Sequence, residues 1–61
     1  MVGMKTYRLI VFDMGHVNAV VEFEAANDEE AQVEAKTHFP AEQRELWQDQ
    51  RFVAVLPPEQ S

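Results

Sequence analysis

Cysteine is absent from this 61-residue chain, and lysine and arginine are scarce, five against eleven aspartates and glutamates. The first absence excludes disulfides, thiolate metal sites and cysteine nucleophiles. The second leaves a formal charge of −6, which disfavours approach to phosphate backbones and anionic lipid. Serine occurs only at position 61, so serine chemistry would rest on the terminal residue. No apolar run approaches the ~20 residues that span a bilayer. Met1 to Thr6 holds a single lysine and runs straight into strand-like sequence, unlike a secretion signal. A cytoplasmic protein without membrane contact is the default expectation.

Four phenylalanines, one tryptophan and one tyrosine, with a run of aliphatics, argue for a folded domain despite the acidity. One domain is the most that this length supports. Chains of this size bury only about 60% of their unfolded surface, and oligomerisation is a common remedy where disulfides and metals are absent.

Residues 6–13 and 17–25 alternate as two strands around Asp13-Met14-Gly15-His16. Gly15 there supplies the positive φ expected of a bulged three-residue or a four-residue hairpin loop. Asn27 is a good N-cap, Glu30 stands at the capping-box position, and Asp28 and Glu29 suit the positive helix end. A helix over 28–38 then stacks Ala31, Ala35 and His38 on one stripe and turns Val33 away from it. Pro40 restricts Phe39 and ends the helix. Positions 44–48 and 51–56 read as two more strands joined at Asp49-Gln50, before Pro57 and Pro58. The order β-β-α-β-β predicts a two-layer α+β fold, a four-stranded, mostly antiparallel sheet with one helix on one face. Its limits are 6–56, between an N-terminal tail (1–5) and a polar C-terminal tail (57–61).

Both sheet faces are apolar. The expected inner face holds Tyr7, Leu9, Val11, Val17, Ala19, Val21, Phe23, Leu46, Phe52, Ala54 and Leu56. The opposite face holds Ile10, Phe12, Val20, Trp47, Val53 and Val55, a patch of several hundred Å² that exceeds ordinary surface scatter. One helix covers one face. The second face therefore predicts a protein interface, with Trp47 as its anchor and Glu22 and Arg51 as a polar rim.

The residues that most often bear chemistry are better explained otherwise. Asp13 and His16 offer two ligands on a turn, too few for a structural zinc site. Glu34 and His38 are one helical turn apart and read as surface electrostatics. Glu22 and Glu24 have the spacing of paired acid/base carboxylates, yet nothing in the sequence implies a cleft around them. Asn27 to Glu30 lacks the alternating ligands of a calcium loop. No catalytic, metal or cofactor residue emerges. A stacking platform for nucleic acid would need basic residues around Trp47. Arg8, Arg44 and Arg51 would have to cluster across the sheet, against the net charge.

The segments Tyr7-Arg8-Leu9, Phe23 through Ala31, Glu45-Leu46-Trp47-Gln48 and Arg51 through Leu56 resemble small, uncharacterised bacterial proteins with an "ELWQ" hairpin. The similarity covers residues 7–56, and Asp49-Gln50 departs from it where a glycine-containing turn is expected. It implies the same β-β-α-β-β pattern and brings no activity with it. The first expectation is a non-enzymatic homodimer, joined through the free sheet face or by edge-strand pairing. The alternatives are a binding module or adaptor for a different protein and, disfavoured by charge, a nucleic-acid module.

Overall fold

Two hairpins and one helix form where apolar alternation and capping residues predict them. The computed structural model describes residues 3–59. Its elements are β1 (Lys5–Asp13), β2 (His16–Ala25), α1 (Asp28–Lys36), β3 (Gln43–Gln48) and β4 (Arg51–Leu56). Residues 1–2 and 60–61, parts of the two expected tails, lie outside the described residues. The strands are antiparallel in the order β2-β1-β3-β4, so the hairpins join through β1 and β3 and leave β2 and β4 as edges.

The first turn is tighter than expected. Asp13 pairs directly with His16, leaving Met14 and Gly15 as a two-residue loop with φ of 53° and 82°. Two consecutive positive φ values match the twist of a right-handed hairpin. The extra residue expected in the loop sits instead inside the ladder, where the register slips between Val11 and Phe12. The second turn places Asp49 at φ 54°, a conformation that aspartate tolerates better than most side chains.

Those register slips change two face assignments. Val11 faces Ala19, but Phe12 faces Val17, so Val17 shares the face of Phe12 and not that of Val11. Leu46 faces Ala54, but Trp47 faces Phe52. Phe52 therefore lies beside Trp47 on the outer face, edge-to-face at 5.3 Å between ring centroids. Val53 takes up the bulge and packs against the core, contrary to its expected outward position. Strict period-2 reading assigns all three residues wrongly because one inserted residue reverses the alternation.

Beneath α1 the buried apolar residues are Tyr7, Leu9, Val11, Ala25, Ala31, Ala35, Leu46 and Leu56, flanked by Ala19, Val21, Phe23, Val53 and Ala54. Ala31 and Ala35 are fully buried, which allows the helix axis to lie close to the sheet. The Asn27 side chain accepts from the Glu30 amide at 2.9 Å. Val33 is exposed, and His38 meets Glu34 at 3.1 Å, both as expected. The helix ends at Lys36, two residues earlier than expected. The Thr37 hydroxyl donates to the Glu34 carbonyl at 2.8 Å, and Phe39 enters the left-handed region at φ 50°. For a bulky residue before proline that conformation is strained, and the Phe39 carbonyl accepts from the Glu42 amide at 3.0 Å.

Candidate functional site

Two arginines clamp the helix to the sheet. At its N-terminus Arg51 donates to both Asp28 carboxylate oxygens, at 3.0 and 2.8 Å, and the Tyr7 hydroxyl donates to Oδ1 at 2.7 Å. Arg51 thereby holds the Asp28 carboxyl down at about 2, with the Tyr7 hydrogen bond as the next cause. Burial, then its hydrogen bond to Asp28, pushes the Tyr7 phenol up. At the other end Arg44 donates to the carbonyls of Ala35, His38 and Pro57 at 3.4, 3.1 and 3.0 Å. The Glu59 amide adds a bond to the Pro40 carbonyl at 2.8 Å, so residues 57–59 are tied to the domain and do not form a free tail.

These positions correct the expected polar rim and agree with the argument against a basic cluster. Arg44 and Arg51 both reach toward α1, so no basic cluster forms with Arg8 across the sheet. For the same reason Arg51 does not rim the outer face. Sequence reading misses Arg44 as a core residue, although its period-2 alternation with Leu46 on β3 places it on the inner face.

Asp28 gives a pH prediction. Its folded value of about 2 lies below the ordinary 3.8, so the ionised carboxylate favours the folded state. That contribution is fully present above the unfolded value and disappears as pH falls through 3.8 toward 2. Asp28→Asn should lower the thermal midpoint at pH 7, and the gap from wild type should close by pH 2. A gap of the same size at both pH values would show that the ionised pair contributes nothing.

The outer face is built row by row from the strand registers, because directly opposed residues share a face. One row across the sheet reads Glu22, Arg8, Trp47 and Phe52, and the next reads Val20, Ile10, Glu45 and Val55. A third adds Val17, Phe12 and Gln43. Of the six expected interface residues, Ile10, Phe12, Val20, Trp47 and Val55 come together here. Phe52 and Val17 join them, and Val53 does not. Val20 is 52% exposed, Val55 54% and Phe52 49%, while Ile10, Phe12 and Trp47 are half-buried. No element of the described residues crosses this face. Its polar groups are Glu22, Arg8, Glu45 and Gln43, with Thr6 and Glu24 in the row beyond. Arg8 meets Glu22 at 3.5 Å, and Glu45 accepts from the Trp47 indole at 3.2 Å.

Among the described residues no three histidine, aspartate or glutamate side chains gather to hold a metal, and no helix is long and apolar enough to cross a membrane. His16 stands opposite Asp13 at the hairpin end. Comparisons with protein-family models, curated proteins and solved structures find no match. The fold and the apolar sheet face therefore define the class, a small α+β domain with one uncovered sheet surface.

Proposed function

We propose that this is a small, non-enzymatic, cytoplasmic protein that works as a homodimer joined through the sheet face opposite α1. One observation supports the reading most. Ile10, Phe12, Val17, Val20, Trp47, Phe52 and Val55 share a face on which no helix packs, bordered at its Phe12 end by Ala41, Glu42 and Pro58. Sheets open to water on one side ordinarily alternate apolar with polar. Here the water-facing side carries about as many large side chains as the core.

Size sets the expected strength. Four strands about 4.8 Å apart and three side-chain rows of about 6.8 Å enclose a projected area on the order of 400 Å². Burying that on both copies falls at the low end for specific interfaces, below about 1,200 Å² in total. A micromolar dimer follows, held mainly by apolar contact.

Sedimentation equilibrium across micromolar concentrations, at low and high salt, tests this. The expected result is a monomer–dimer equilibrium that persists at high salt, since apolar association is not screened. A folded monomer at every concentration would overturn the homodimer and direct attention to a different protein as the occupant of this face.

A further inference from the structure

The outer face contains one charge that apolar association would strand. Glu45 lies between Ile10 and Val55 in the middle row, and its carboxylate has a hydrogen bond from Trp47 but no cation among its described ion pairs. Burying a carboxylate without a countercharge opposes association strongly. Of the five lysines and arginines, only Arg8 lies on this face. Lys5 shares the face of Tyr7 by alternation, Lys36 belongs to α1, and Arg44 and Arg51 reach toward the helix. Arg8 and Glu45 are diagonal neighbours on β1 and β3, about 7–8 Å apart by strand geometry. Within one chain Arg8 pairs with Glu22 instead, and Glu45 accepts from the Trp47 indole.

We propose that Arg8 of one copy pairs with Glu45 of a second copy, twice per dimer, and that this exchange fixes how the two sheets cross. The proposal rests on the homodimer reading above and specifies its register.

Symmetry makes the pairing selective. A two-fold axis lying in the interface exchanges positions that mirror one another across it. An axis parallel to the strands lays Ile10 over Glu45 of the second copy and strands both carboxylates. An axis along the line from Ile10 to Trp47 carries Arg8 of each copy to within side-chain reach of Glu45 of the other. It brings Ile10 and Trp47 against their own counterparts at the seam, with Val20 and Phe52 on either side of it. The strands of the two copies then cross at roughly 70°, close to the orthogonal class of sheet packing. Arg8 gives up an exposed pair with Glu22, both side chains being more than half exposed, for one enclosed by apolar side chains. Exposed pairs are weak, so little is lost.

Charge reversal tests the pairing by sedimentation equilibrium, with circular dichroism to verify folding. Arg8→Glu and Glu45→Arg should each weaken self-association on the order of 100-fold, because each sets like charges against one another at two places. An equimolar mixture of the two variants should recover association to within a few-fold of wild type as a heterodimer. Both variants remain net acidic, so bulk attraction cannot produce that recovery. Unweakened single variants, or a mixture no tighter than its components, would overturn the pairing while a wild-type dimer kept the broader reading. A monomeric wild type would overturn both.

Discussion

Arg44→Ala is expected to leave most of the chain unfolded at 25 °C. Arg44 is 1% exposed and sits on β3 between Val11 of β1 and Leu56 of β4. Its two terminal nitrogens bind three carbonyls, from the end of α1, the segment after it and the residue after β4. Glu59 lies 3.9 Å away as the countercharge, and only Nε lacks a partner. Truncation removes all three bonds, takes the Arg44 donor from the His38 and Pro57 carbonyls and opens a cavity beside Leu56. A buried carbonyl left without a partner costs about 1–3 kcal/mol, and the cavity adds to that. The entire domain, at its size, has a stability of only about 3–9 kcal/mol. Arg44→Lys should recover little, since one ammonium on a flexible stem does not reproduce a planar fork spanning three acceptors. Arg44→Met separates volume from hydrogen bonding, because it fills the space and binds nothing. Urea denaturation followed by circular dichroism measures all three. Arg44→Ala within about 1 kcal/mol of wild type would show that this cluster does not hold the helix end.

Element order was legible because strong local signals agree. The Asn27 cap, the acidic first turn of α1 and the alanine pair all act within a few residues, and alternation on β1 and β2 extends over several pairs. What was not legible depends on partners distant in sequence. A bulge follows from how two strands pair, so nothing around Asn18 or Val53 announces it, and Val17, Phe52 and Val53 were assigned to the wrong faces. Arg44 was left off the expected inner face because its acceptors lie on three separate segments. The Tyr7–Asp28–Arg51 cluster likewise joins residues 21 and 23 positions apart. The outer face survived these errors since its centre, Ile10, Val20 and Trp47, lies on either side of the bulges and is not within one. Exchanging Val53 for Phe52 even enlarged it.

Ile10→Lys should abolish dimerisation and leave the fold intact. Ile10 lies at the middle of the outer face, on a central strand, with Val20 on one side and Glu45 on the other. Within one chain the substituted ammonium has Glu45 as a direct cross-strand neighbour, and opposite charges at such positions favour the strand pair. The long aliphatic stem keeps contact with Val20 while the charge reaches water. In any dimer that buries this face, the same ammonium is enclosed at the centre, where fully desolvated contacts dominate binding. On the diagonal axis it also confronts its own copy. With Glu45 held by Arg8 of the second copy, the added ammonium has no countercharge there, at a cost greater than an interface of this size can supply. The expected result is a monomer at hundreds of micromolar with a thermal midpoint near that of wild type measured as monomer. Trp47→Ala should act in the same direction but less cleanly, since the indole also packs on Phe52 within its own chain. A dimer of unchanged affinity in Ile10→Lys would overturn the diagonal axis, and one equally unchanged in Val20→Lys would place the contact on the β2 or β4 edge. Face and edge contacts are separable in this way because an edge-paired dimer extends the sheet and leaves Ile10 and Val20 in water on both copies.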